Sequence, residues 1–345
     1  MVSLLPRKEF IEEYYKKRRF PVEGLYIRHS KTGEILPDVK LVEGIKKPAE
    51  EVPVFIHDKF YDPTVVKEML GPMRDVLREA AKKRRVFTRI APLCRGLEIN
   101  ARYVECELVP YHYVRMIHSN ADYVLREEGL FKPTRLRDAL WHLVATRRGI
   151  VPLRKSKLPN VLSVHILIIS RDGYAILPRR APRLSIAANT LSVIEGYVEA
   201  CREHEGRTAE DLAYIEIEDE AGITKGELDI YYIGAYRSLR TLGRPMMFFL
   251  GFSKEDHQSL LRRIESRASW EHSGIEAIKV SEEAKDIDEF FESIDEDSIS
   301  MLAMREDISP TMKLFTHMLR FFRKLKIELL IGILWSLSRS LVHIS

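Results

Sequence analysis

Residues 195–223 read EGYVEACREHEGRTAEDLAYIEIEDEAGI, and the second half of this stretch has the periodicity of a helix with an acidic side. Residues three or four apart share a helix face, so Glu216 reaches the same region of space as Asp219 and Glu220. Ala213, Ile217 and Ala221 recur every fourth residue and make an apolar stripe for a core. Gly222 suits the left-handed position just past a helix end, and Thr208 suits the N-cap. Carboxylates converging on one spot are the oxygen ligands that a hard divalent cation such as Mg²⁺ takes.

A magnitude separates two readings of that cluster. Like charges ~5.5 Å apart repel by roughly 3 kcal/mol per pair at an effective dielectric of about 20, and by under about 1 kcal/mol in bulk water. If the cluster is enclosed, a bound cation relieves the repulsion. If it is exposed, Glu216, Glu218, Asp219 and Glu220 are a solvated acidic helix and need none.

The stretch resembles the box of the Nudix hydrolases, a glycine loop followed by a helix with the pattern G-x5-E-x7-R-E-U-x-E-E-x-G-U, where U is aliphatic. Gly196, Tyr197, Val198 and Glu199 look like the loop. Residues 216–223, EIEDEAGI, match E-U-x-E-E-x-G-U with Asp219 in place of one Glu. Two positions depart from the pattern: Ile215 stands where the Arg is expected, and Arg207 where the Glu of G-x5-E is expected. An insertion then falls within 200–205.

The resemblance implies an α/β fold of the α+β kind, a Nudix-like α/β/α sandwich with a mixed sheet, preceded by an α+β N-terminal extension. It implies attack of water on a pyrophosphate bond in a nucleoside-diphosphate-linked substrate, with Mg²⁺ or Mn²⁺ as cofactor. Glu216 and Glu220 would be the catalytic pair. Glu216, Asp219 and Glu220, with the main-chain carbonyl of Glu195, would hold the metal. Arg179 and Arg180 follow a strand closely and suit phosphate, because guanidinium makes bidentate contacts; an exposed basic turn fits them equally. Glu216, Glu220, Glu255 and Asp256 are the candidates for the base. Tyr231, Tyr232 and Phe248 sit in strands and read as core rather than as a base-stacking platform. A second function remains open, a Nudix-fold module without catalysis that binds a nucleotide or a protein partner. Ile215 and Arg207 favour it; the retained carboxylates favour the enzyme.

The chain of 345 residues is 45% apolar and 31% charged, the composition of an ordinary soluble protein. Its net charge of +4 is mild and compatible with anionic ligands. Cys94, Cys106 and Cys201 lack metal spacing, and a reducing cytoplasm suits them. The basic runs at 16–19, 82–85 and 147–148 have acids close by and read as solvated faces, not a nucleic-acid footprint. No histidine pair has zinc-ligand spacing. The start has early acids and no long apolar core, unlike a signal peptide. The apolar part of 326–345 is too short to cross a bilayer and suits a helix docked on the body or a homodimer contact.

Three parts are expected along the chain: an α+β extension at 1–155, the Nudix-like domain at 160–308, and a helical segment at 309–345. Strands are expected at 161–170, 174–177, 191–198, 228–236, 246–252 and 275–280. Helices are expected at 254–267, 286–291 and 309–326. Upstream, 63–85 and 134–147 read as helices and 97–108 as a strand.

Overall fold

The computed structural model describes residues 27–28, 35–36, 38–70, 92–118, 121, 124–126, 134–146, 149–184, 187–200, 207–267 and 271–322. The first half of the chain supplies strands β1 (Asp38–Pro48) and β2 (Val54–Phe60), helix α1 (Thr64–Leu70), strands β3 (Leu93–Ile99) and β4 (Val104–Val109), and helices α2 (Tyr111–Ile117) and α3 (Leu136–Val144). The second half runs β5 (Ser163–Ile169), β6 (Tyr174–Arg180), β7 (Ile194–Tyr197), α4 (Ala209–Ala221), β8 (Leu228–Ser238) and β9 (Arg244–Ser253). It continues through α5 (His257–Arg267), β10 (His272–Lys279), α6 (Ile287–Ser293) and α7 (Glu296–Met304) to a helix at 310–322.

The main sheet has the order β10-β6-β5-β9-β8-β1, with β7 also paired to β5. The β5–β9 pair is parallel and its other pairs are antiparallel, so the sheet is mixed. Strand β5 is buried along its whole length because both sheet faces are covered, as its unbroken apolar run requires. Val164, Ile166 and Ile168 face one core with Ala213 and Ile217 of α4 and Leu260 and Ile264 of α5. Leu167 and Ile169 face the other with Phe290 of α6, Leu302 of α7 and Phe315 of the last helix. Helices thus cover both faces, giving the α/β/α sandwich expected from the sequence.

The first half of the chain is joined to this sandwich. Strand β1 is an edge strand of the main sheet, paired to β8. Strands β2, β4 and β3 form a separate sheet of their own, whose Val54, Cys94, Val104 and Cys106 lie in the same core as α4. A third core gathers α2 and α3 around Leu140, Val144 and Leu239.

Local chemistry explains the ends of α4. The Asp211 carboxylate accepts from the Thr208 N–H (2.8 Å) and hydroxyl (3.0 Å), closing the first turn. Gly222 follows at φ +66°, and its N–H donates to the Glu218 carbonyl.

Several elements differ from the sequence expectation. The segment 97–108 is not one strand but the paired β3 and β4, because Asn100 turns the chain by accepting from the N–H groups of Arg102 and Tyr103. Residues 134–135 are extended, and α3 begins only after Arg135. Gly196 and Tyr197 are strand rather than loop. Val198 and Ala200 carry the extended backbone onward, Cys94 N–H donating to the Val198 carbonyl and Ala200 N–H to that of Pro92. Helix α5 starts at His257, where Asp256 accepts from the Ser259 N–H. Helix α7, capped by Asp295, has no counterpart in the sequence reading. The expected end of the first helix beyond residue 70, the basic runs, Cys201 and the C-terminal run from 326 lie outside the described residues. Among the described residues no helix is long and apolar enough to cross a membrane.

Candidate functional site

Helix α4 answers the question of enclosure residue by residue. Glu216 and Glu220, one turn apart, are 9% and 4% exposed, whereas Glu218 and Asp219 are exposed to solvent. The apolar stripe of Ala213, Ile217 and Ala221 presses the helix onto the sheet, and the two glutamates flank that stripe. Asp219 is rotated outward, so the structure encloses Glu216 with Glu220 but leaves Asp219 at the surface.

The Glu216 carboxylate lies directly over Gly196 of β7, in the volume that a Cβ at that position would fill. A glycine is required there by space, not by backbone angle. The Val198 N–H donates to the Leu162 carbonyl, and in the β5–β7 register His165 is opposite Glu195. The alternation of antiparallel ladders therefore makes His165 and Glu195 a non-hydrogen-bonded pair. The Glu195 main-chain carbonyl consequently points away from β5.

The Glu195 side chain is part of a charge array. It accepts from Arg180 and lies 3.0 Å from His165 Nδ1. On the other side, His165 Nε2 is 3.0 Å from the Ser163 hydroxyl. Burial opposes ionisation of Glu195, but Arg180, His165 and Arg244 outweigh it and hold the carboxyl well below its usual range. His165 is pushed down by burial, against the pull of Glu195.

Glu220 has the opposite environment. Burial first, then the neighbouring Glu271, Glu195 and Asp219, push its carboxyl well up, against the pull of Arg180. Its Oε2 lies 3.1 Å from His272 Nε2, yet that buried oxygen makes no hydrogen bond among the described residues. Burial also lowers the pKa of His272, so the imidazole brings Glu220 little charge. A buried carboxylate in this position is one that a cation would stabilise.

Arg179 and Arg180 are neighbours on β6 with separate partners. Arg179 donates to Glu276, Asp307 and the Asn189 carbonyl. Arg180 reaches Glu195 and, through space, Glu220. The two base candidates further along are engaged elsewhere: Glu255 accepts from Arg263 at 2.7 Å, and Asp256 starts α5. Tyr232 and Phe248 are fully buried core residues. Arg207 is held through its carbonyl, which accepts from the Val54 N–H, and Ile215 is half-buried.

His165, His272, Glu271 and Arg244 belong to this site and were not singled out from the sequence. His165 had a legible signal, an ionisable residue inside the apolar run 161–170. The others arrive from β9 and the start of β10, and nothing local marks them.

Among the described residues, no group of three or more His, Cys, Asp and Glu side chains is arranged to hold a metal ion. Mg²⁺, however, is commonly bound by one or two carboxylates plus water and substrate phosphate oxygens. The oxygen donors available here are Glu216, Glu220, whose Oε2 makes no hydrogen bond among the described residues, and the outward Glu195 carbonyl.

No family model matches the sequence, and no curated protein is detectably similar to it. Among solved structures, the pyrophosphohydrolase BsRppH of Bacillus subtilis is 13% identical, with 48% of this chain and 82% of that chain aligned at a TM-score of 0.29. A Nudix-family hydrolase from Clostridium perfringens is 11% identical over 47% of this chain and 97% of that chain, at a TM-score of 0.29. The MutT protein of Methanosarcina mazei Go1 is 13% identical over 48% of this chain and 94% of that chain, at a TM-score of 0.28. These are partial likenesses of fold at low overall similarity. The chain folds as a covered mixed sheet on which one capped helix buries two glutamates, one of them, Glu216, against a strand glycine.

Proposed function

We propose that the protein is a Nudix-type hydrolase that cleaves a pyrophosphate bond in a nucleoside-diphosphate-linked substrate, using Mg²⁺ or Mn²⁺. The observation that carries this reading is the enclosure of Glu216 and Glu220, with a Glu220 oxygen that makes no hydrogen bond among the described residues. The metal would be held by Glu216, Glu220 and the Glu195 carbonyl, with Asp219 contributing through water. When bound, it supplies charge neutralisation for phosphate and a more acidic water. Arg180, which pairs with Glu195, would contact a phosphate oxygen; Arg179 pairs with Glu276 and Asp307 instead. Glu216 or Glu220 serves as the base.

The second reading is a Nudix-fold module that binds a nucleotide or a protein partner without catalysis. It is favoured by the Arg180–Glu195 pair, which puts a fixed positive charge beside the proposed metal position, and by Ile215 and Arg207 at the two altered box positions.

Metal-dependent melting separates the readings from the start. Saturating a site at one hundred times its Kd stabilises by about 2.7 kcal/mol. Mn²⁺ should raise the Tm of the wild type, and the double variant Glu216→Gln/Glu220→Gln should lose that rise. A metal response that survives the double variant rejects the site. Phosphate or nucleotide release from ADP-ribose, dinucleoside polyphosphates, NADH and nucleoside triphosphates, abolished by Glu220→Gln, supports the hydrolase. Binding of one of these without turnover moves the assignment to the module.

A further inference from the structure

Glu195 of β7 divides its two carboxylate oxygens between two donors. Oε1 accepts from Arg180 Nη1, and Oε2 lies 3.0 Å from His165 Nδ1. A carboxylate paired with an arginine is an acceptor, so the proton of the second contact sits on Nδ1. His165 is buried in β5 with its ring stacked on Phe248, 5.2 Å between centres at 20°. Burial disfavours its charged form, so Nε2 keeps a lone pair, 3.0 Å from the Ser163 hydroxyl. Ser163 also lies 3.2 Å from the Pro245 carbonyl, and its proton goes to the closer ring nitrogen. The imidazole is thus held in one tautomer, with its N–H aimed at Glu195.

Arg180 has a second carboxylate within reach. Across the β6–β10 pair it is opposite His272, whose Nε2 is 3.1 Å from Glu220 Oε2. Its charge is felt at Glu220 as well as at Glu195. Yet Glu220 Oε2 makes no hydrogen bond among the described residues, while Arg180 is bonded to Glu195. An Arg180 that turned to Glu220 would neutralise the oxygen a cation needs. Arg244, over the Tyr197 ring at 5.3 Å from its centre, also acts on Glu195. It is the alternative partner for a Glu195 carboxylate that has lost its imidazole.

We propose that His165 and Glu195 are positioning residues, a clamp that holds Arg180 off Glu220 and keeps the Glu220 oxygen open to a divalent cation. The clamp rests on the metal position given above, and it does not depend on hydrolysis. His165 acts only through Glu195. Because its ring is neutral, its effect on the cation runs through the placement of Arg180 and not through direct attraction or repulsion.

The test is calorimetric titration of Mn²⁺ into the full chain at constant pH and ionic strength, with nitrogen NMR of the histidine rings. Arg180→Gln should bind Mn²⁺ at least as tightly as the wild type, since a positive charge is gone. His165→Leu should weaken Mn²⁺ roughly tenfold or more, as losing an outer partner of a metal site does. That loss should vanish in His165→Leu/Arg180→Gln. His165→Asn, whose amide N–H stands in for Nδ1–H, should keep most of the affinity. If His165→Leu does not fold, His165→Gln fills the Nε2 side, leaves the Nδ1 place empty, and should lose affinity in the same way. The wild-type His165 ring should show a protonated Nδ1 and a bare Nε2.

Equal losses from His165→Leu in both Arg180 backgrounds overturn the clamp, because residues that do not interact contribute additively. So do equal losses in the Asn and Leu variants, which would mark a packing role, and so does a proton on Nε2. A wild type that binds no Mn²⁺ rejects the metal position and the clamp with it. No turnover of any nucleotide, with the Mn²⁺ results as expected, rejects the hydrolase and supports the clamp.

Discussion

At the residue scale, the site turns on two contacts that spacing along the chain only half reveals. Gly196 is needed because the Glu216 carboxylate occupies the place of its side chain, and Glu220 sits where burial makes a charge costly. Gly196→Ala should therefore displace Glu216, destabilise the protein by about 1–3 kcal/mol as overpacking does, and remove the metal-dependent rise in Tm. Calorimetric melts of the wild type and variant, with and without Mn²⁺, check this. A Gly196→Ala protein with wild-type stability and an unchanged metal response would mean that Glu216 is not seated on β7.

At the element scale, the sandwich depends on how turns are tied to helix ends. Asp172, in the turn between β5 and β6, accepts from the Ser170 hydroxyl (2.6 Å) and from the His257 N–H (2.9 Å) at the start of α5. Burial works against its ionisation, but the bonds from Ser170 and His257 prevail and bring its pKa down to about 2. A carboxylate with a lowered folded-state pKa contributes stability above its unfolded value, near 3.9, and loses it as pH falls through the folded value. Wild-type unfolding free energy should therefore fall more steeply than that of Asp172→Asn between about pH 4 and pH 2, with the two curves converging at the acid end. Urea titrations across that window decide it; parallel curves would show that the turn does not depend on the ionised form. Gly173, at φ +77° beside the Ser281 carbonyl, completes the same turn and has no room for a side chain.

At the scale of the whole molecule, the N-terminal half and the sandwich share one core. Strand β1 lies in the main sheet, and Cys94, Val104 and Cys106 pack in the core that holds α4. We propose the parts 1–155, 160–308 and 309–345 as divisions of architecture rather than of independent folding. A fragment spanning 160–345 would expose the β8 edge and the α4 core, and should show no cooperative unfolding transition by circular dichroism. A cooperative melt near the temperature of the full chain would show that the sandwich folds alone.

The sequence by itself determined what rests on local chemistry. The span of α4 was legible from Thr208 and Gly222, and strands β5, β6, β8 and β9 from alternating or unbroken apolar runs, because caps and periodicity act within a few residues. Helix α7 was not legible, since Asp295 starts it only four residues after the expected end of the preceding helix and no gap of loop residues separates the two. Only the tertiary structure decided which carboxylates of α4 face inward, because that depends on how its apolar stripe sits on the sheet. The same holds for the choice of Arg180 over Arg179 beside the glutamates, where alternation along β6 sends neighbours to different partners. His165, Arg244, Glu271 and His272 join Glu195 and Glu220 from distant parts of the chain, and no spacing rule reaches across a sheet register.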